Sequence, residues 1–224
     1  MGLRILWNTS TFVFPTGNIS AANRPGHQSI SNDPSLSIIL WNLMNSESSG
    51  GILIRTPNWL GDLMMSTAFI HQVMELFPES EVDLVVRSGF EELPLPCRGR
   101  IFPFDKKTQT PGNFGKNLRQ YEYQKMFILP PSFSSAWMGF RASIPERIGF
   151  SGDFRKVLLK PAKKHDNPPR QIHLVDEYME LLKPLPGTRN RFPKLEVNED
   201  WLEKQLNFLP QSLPERFICF APGA

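Results

Sequence analysis

The sequence has 224 residues, with 25 Lys and Arg against 22 Asp and Glu, a formal net charge of +3. That near-balance gives no case for nucleic acid as a partner, although a small positive excess would not resist an anionic surface. Hydrophobic residues make up 40% and charged residues 21%, so the chain can pack a core for one large domain or two small ones, and global disorder is not expected.

The two cysteines, Cys97 and Cys219, lie far apart and offer neither a metal spacing nor a disulfide framework, which fits a reducing compartment. The apolar run Leu36–Leu43 is interrupted by Ser37 and Asn42 and is too short to cross a bilayer. No signal peptide precedes it. A cytoplasmic protein with at most peripheral membrane contact is expected.

Residues 1–50 are rich in Ser, Asn, Gly and Pro and carry no helical or strand period, so they read as a disordered extension. Met44 stands just before the first good strand, where a start codon would stand. From Gly51 the pattern is orderly. Ile52–Ile54 is a continuous apolar run, the mark of a strand buried on both faces. A helix is expected from about Asp62 to Phe77, with Leu63, Ile70, Met74 and Phe77 on one face and Pro78 ending it. Strands are expected at Val82–Val86, Ile101–Phe104, Met126–Leu129 and Arg147–Phe150, with helices at Asn113–Tyr123 and Ser132–Ala142 between them. Helices follow at His173–Leu182 and Asp200–Leu209, and a last strand at Arg216–Phe220 runs into Ala221-Pro222-Gly223-Ala224. Strands alternating with helices imply an α/β fold, a Rossmann-like parallel sheet with helices on both faces.

The segment Ile52–Ser66 carries the chemistry: a buried strand, a tight loop with Pro57 and Gly61, and a helix opening with Asp62. In open parallel sheets the carboxyl ends of strands and the following helix N-termini form the ligand crevice, so Asp62 stands where a substrate could reach it. Asp in a first helical turn also caps free N–H groups and favours the helix dipole, and spacing alone leaves both readings open. The segment lacks G-x-G-x-x-G, so a dinucleotide site is not supported.

Pro57-Asn58-Trp59-Leu60-Gly61-Asp62 followed by Leu63-Met64-Met65-Ser66 resembles the opening of the ADP-heptose:lipopolysaccharide heptosyltransferases of glycosyltransferase family 9, in particular the heptosyltransferase II branch. Phe127–Ala136, Ile144–Phe150 with Gly152 and Arg155, His173-Leu174-Val175 with Tyr178, and Ala221–Ala224 resemble later motifs of that family in matching order. Pro131 and Ala221 replace the usual Asn and Cys. The resemblance implies the N-terminal half of a two-domain GT-B fold. Residues 51–210 would form the acceptor domain and 211–224 the start of a truncated donor domain, so this chain by itself is expected to be inactive. It implies an inverting, metal-independent transfer of heptose from ADP-L-glycero-D-manno-heptose onto the lipopolysaccharide inner core, with no cofactor. It further implies that Asp62 is the general base that takes the proton of the attacking hydroxyl.

Asn58, Gly61, Arg147 and Arg155 are the substrate-binding candidates. The two arginines suit the planar carboxylate and phosphate groups that the inner core carries, and Arg55 points the same way from inside a strand. The commoner reading of each arginine is half of a surface ion pair, and the plain reading of Asn58 is a turn residue. His71 and His173 have no partners at metal spacing and read as structural. Lys160, Lys163 and Lys164 read as a solvated loop that could face lipid headgroups. Phe133, Trp137, Met138 and Phe140 read as core or a hydrophobic ledge. A non-catalytic Rossmann-like binding domain, or a family 9 enzyme with another sugar donor, are the competing functions.

Overall fold

The computed structural model describes residues 50–168, 171–183, 185 and 190–207. The extension expected before residue 50, and the strand expected at Arg216–Phe220 with the turn after it, lie outside the described residues.

Six strands form one parallel sheet: β1 (Ile52–Arg55), β2 (Val82–Arg87), β3 (Ile101–Phe104), β4 (Lys125–Ile128), β5 (Glu146–Phe150) and β6 (Ala162–Lys163). Their spatial order is β3-β2-β1-β4-β5-β6. The helices between them are α1 (Leu60–Leu76), α2 (Pro111–Leu118) with a 3-10 turn at Arg119–Tyr121, and α3 (Phe133–Arg141). A further 3-10 turn follows β5 at Asp153–Val157, and α4 (Leu174–Glu180) and α5 (Glu199–Leu206) follow β6. The expected strands and helices are all present between residues 51 and 206. The structure adds β6 and the 3-10 turn after β5, and shortens the helix expected at His173–Leu182.

Period-two alternation divides the core into two layers, because successive side chains of a strand point to opposite faces. Ile52, Ile54, Val82, Leu84, Val86, Phe127, Ile148 and Phe150 pack with α1 and α4 on one face. Leu53, Val85, Met126 and Ile128 pack with α2 and α3 on the other. Each such side chain removed from water contributes about 1.5–3 kcal/mol.

The helix starts follow local chemistry. Thr110, Ser132 and Asn198 each accept a hydrogen bond from the backbone N–H three residues on, capping α2, α3 and α5. The side chain of His173 accepts from Val175 N and caps α4. α1 has no such cap, since its N-cap is Trp59. It is also buried on more than the single face expected, with Ser66, Ala68, Phe69, Gln72 and Val73 all inside. A further cover contributes. The segment 190–196 runs against the helix, with Lys194 N donating to Thr67 Oγ1 at 2.9 Å and Asn190 N to Gln72 Oε1 at 3.2 Å.

Candidate active site

The strand order reverses direction between β1 and β4, and in open parallel sheets that switch point opens a crevice at the carboxyl ends of the strands. Two loops flank it. One runs from Thr56 to the start of α1. The other begins at Leu129, whose N–H donates to Arg55 O at 3.1 Å, and runs to Ser132.

The β1–α1 loop is anchored from below. Thr56 N and Thr56 Oγ1 both donate to Val85 O, at 3.0 and 3.1 Å. Pro57 is buried, Asn58 is half-buried, and Trp59 stands 73% exposed. The first helical bond of α1 runs from Leu63 N to Trp59 O at 2.9 Å. Gly61 is exposed, and a Cβ built on it would meet nothing within 4 Å. Neither packing nor backbone strain requires glycine here, which leaves close approach of a ligand as a use for it.

Asp62 is half-buried in the first turn of α1. The capping role weighed for it is not realised, since its carboxylate makes no hydrogen bond or ion pair among the described residues. It does lie close enough to act on α4: burial first, then the charges of Asp62 and Glu177, push the Tyr178 phenol above its ordinary value.

A cavity of about 570 Å³ opens on the β2–β3 side of this loop. It is lined by Asn58 and Trp59, by Arg87 and Ser88 at the end of β2, and by Phe104, Asp105, Lys106 and Lys107 at the end of β3. Its acid is committed to the local turn, as Asp105 accepts from Lys107 N at 2.9 Å and Thr108 Oγ1 at 3.4 Å. Arg87 donates to Asn58 O at 3.3 Å, which ties the two sides of the cavity together. A wall with three cations and one engaged carboxylate attracts anions.

The structure thus brings Asn58, Gly61 and Asp62 together on the β1–α1 loop and the first turn of the helix it leads into. Arg147 and Arg155 stand elsewhere. Arg147 is the second residue of β5, in register with Met126, and so lies toward the opposite end of the sheet from the crevice. Its guanidinium donates to Leu158 O at 2.6 Å, Pro145 O at 3.2 Å and Ile144 O, and burial lowers its pKa. Arg155 lies in the 3-10 turn after β5 and donates to Gly152 O at 3.2 Å. None of Arg55, Arg147 and Arg155 forms an ion pair among the described residues. Arg87, Lys106 and Lys107 were not singled out from the sequence. Their signal was present: each follows or ends an apolar run that reads as a strand, at the edge where such sheets bind ligands.

The remaining candidates fall to structural roles. His71 sits beside Glu196 at 3.8 Å, and His173 is a helix cap. Phe133, Trp137 and Phe140 stack along α3 as a partly exposed ledge, while Met138 is core. Among the described residues there is no group of three or more His, Cys, Asp or Glu that could hold a metal ion.

Fold and site together define an open, doubly wound α/β domain with a candidate ligand crevice at its strand ends. Residues 112–224 match the sequence pattern of glycosyltransferase family 9 (heptosyltransferase), half of the chain. The chain is 27% identical over 193 residues to lipopolysaccharide heptosyltransferase 2 of Salmonella typhimurium, covering 77% of this chain and 54% of that protein. It is 30% identical over 195 residues to lipooligosaccharide heptosyltransferase 2 of Haemophilus ducreyi, with the same coverage. The structure of the Escherichia coli ADP-heptose lipopolysaccharide heptosyltransferase II matches with a TM-score of 0.59 at 26% identity, over 70% of this chain and 50% of that one. The chain belongs to glycosyltransferase family 9, and it spans about half the length of these relatives.

Proposed function

We propose that the protein serves the transfer of heptose from ADP-L-glycero-D-manno-heptose onto the inner core of lipopolysaccharide, with inversion at the anomeric carbon, and that residues 51–210 form the acceptor side of that reaction. The observation that carries this reading is the uncommitted carboxylate of Asp62 in the first turn of α1, just after the loop at the switch point. A sugar hydroxyl must lose its proton as it attacks, and a carboxylate free of caps and ion pairs can accept it. One base suffices for a single displacement, provided that the departing diphosphate is received by positive dipoles.

Asn58 and the open space in front of Gly61 are the contacts proposed for the acceptor sugar. The cations Arg87, Lys106 and Lys107 suit the carboxylate and phosphate groups of the inner core. ADP-heptose is assigned to the part of the relatives' length that this chain does not span. On this reading the protein works in the cytoplasm and meets its acceptor at the inner membrane surface. Among the described residues no helix is long and apolar enough to cross a membrane.

The test supplies the donor half of a relative in fusion with this chain, then adds ADP-heptose and a core lacking the second heptose. Release of ADP and a core heavier by one heptose are expected, and both should vanish in Asp62→Asn. Undiminished transfer by Asp62→Asn would remove Asp62 from the chemistry. Core binding that ignores replacement of Arg87, Lys106 and Lys107 together would remove the acceptor assignment.

A further inference from the structure

Arg55 is the most deeply buried charged side chain near the site, at 1% exposure. It ends β1, directly behind two residues that line the cavity. Its guanidinium lies over the Phe104 ring, 5.7 Å from the centroid, and Nη2 donates to Oδ1 of Asn58. Nη1 donates to Thr56 O at 2.7 Å and Val85 O at 3.1 Å, while Nε has no partner among the described residues. No carboxylate pairs with it among the described residues. Burial lowers its pKa to about 10, so the group still carries its charge at neutral pH.

A buried cation without a counterion is costly, and in a fold that only had to pack, an apolar side chain would fill this place better. The hydrogen bonds show what the cation does instead. Arginine only donates, so whatever faces it must be an acceptor. The Asn58 carboxamide must therefore turn its oxygen inward, and its Nδ2 hydrogens, which have no partner among the described residues, are left for the cavity that Asn58 lines.

We propose that Arg55 is a positioning residue that sets what this cavity selects. It locks Asn58 so that the cavity meets two N–H donors with a fixed positive charge behind them, an arrangement that takes the oxyanion of a phosphate or carboxylate group. The proposal rests on reading this cavity as the acceptor's. Its test uses neither ADP-heptose nor turnover, so it can fail or stand independently of the transfer reaction.

Inorganic phosphate is titrated into the 15N-labelled chain while the Asn58 side-chain amide signal, assigned by its loss in Asn58→Ser, is followed. In the unmodified chain the signal should shift saturably. Arg55→Met should weaken phosphate binding by about tenfold or more, the loss of one good hydrogen-bonding arrangement. Arg55→Lys keeps a donor and a charge and should recover most of the affinity. Asn58→Asp gives the buried cation a partner and removes the donors, so it should raise Tm while weakening phosphate binding at least about tenfold. A purely structural Arg55 would not separate stability from binding in this way. Undiminished phosphate affinity in folded Arg55→Met overturns the proposal, as does an Asn58 amide that ignores phosphate in the unmodified chain. If Arg55→Met does not fold, Asn58→Asp decides: phosphate affinity at the unmodified level, or a lower Tm, overturns the proposal.

Discussion

Asp62 and Gly61 are neighbours whose replacement should separate stability from function. Asp62 neither caps α1 nor pairs, so Asp62→Asn and Asp62→Ala should both change stability by less than about 1 kcal/mol, the scale of a helix-dipole contact. Turnover of the fused enzyme should fall by about 10²–10⁴-fold in both, because each lacks the proton acceptor. A substantial loss of stability in the Ala variant alone would restore the capping role. Gly61 lies in the first turn of α1 with open space around it, so Gly61→Ala should stabilise the fold by about 0.4–1 kcal/mol through lower unfolded-chain entropy. The same methyl group should obstruct the acceptor and raise its KM. Equal acceptor affinity in Gly61→Ala would show that nothing approaches this face. Asn58, Gly61 and Asp62 were legible in the sequence because one strand–loop–helix segment holds all three. Arg55 was named from the sequence as an anion contact, but its hold on Asn58 was not legible there, since its other partners Val85 and Phe104 come from other strands and only the folded sheet brings them to it.

At the scale of elements, α2 crosses α3 closely at Gly115. A Cβ on Gly115 would collide with the Met138 carbonyl oxygen, and backbone cannot step aside as a flexible side chain can. Gly115→Ala should therefore cost about 1–3 kcal/mol in denaturant unfolding despite the better helix propensity of alanine. A neutral or stabilising result would mean that the two helices can separate without penalty. The long, strongly patterned elements were readable in advance because buried parallel strands are continuous apolar runs. β6 was not, as Ala162–Lys163 has too few residues to carry a period. The single apolar face assigned to α1 understated its burial partly because its further cover, residues 190–196, has no sequence pattern of its own and is recognised only by what it touches.

Across the whole molecule, one buried cluster ties the amino-terminal end of the sheet. Asp83, fully buried in β2, accepts from Arg100 N at 2.6 Å, Arg100 Nε at 3.0 Å and the Tyr123 hydroxyl, joining β2 to the start of β3 and the entry to β4. Burial, then the hydrogen bond to Asp83, pushes the Tyr123 phenol well above its ordinary value, as burial does for Tyr178. The unfolded chain therefore releases these protons first. Stability from both tyrosines should be fully present below the unfolded tyrosine pKa of about 10 and decline as pH rises above it toward the folded values. Arg55 acts with the opposite sign there, because its folded pKa is the lower one, at about 10. The tyrosine contribution is thus read by difference: Tyr123→Phe and Tyr178→Phe should each flatten the alkaline fall in denaturant-measured stability. An unchanged slope in both variants would show that neither phenol is held in its protonated form.

The crossing at residues 190–196 couples regions that are distant in sequence. Thr67, Gln72 and Pro94 receive main-chain hydrogen bonds from Lys194, Asn190 and Glu196. The helix that begins with the Asp62 turn is therefore clamped by chain more than a hundred residues downstream. Such a clamp makes opening a shared event. In native-state hydrogen exchange, the amides of Asn190, Lys194 and the middle of α1 should open together as one cooperative unit. Thr67→Val, which keeps the shape but removes an acceptor, should speed exchange at Lys194 and lower the opening free energy of the whole unit. The placement of the carboxylate then depends partly on a stretch of chain to which, among the described residues, it makes no hydrogen bond or ion pair.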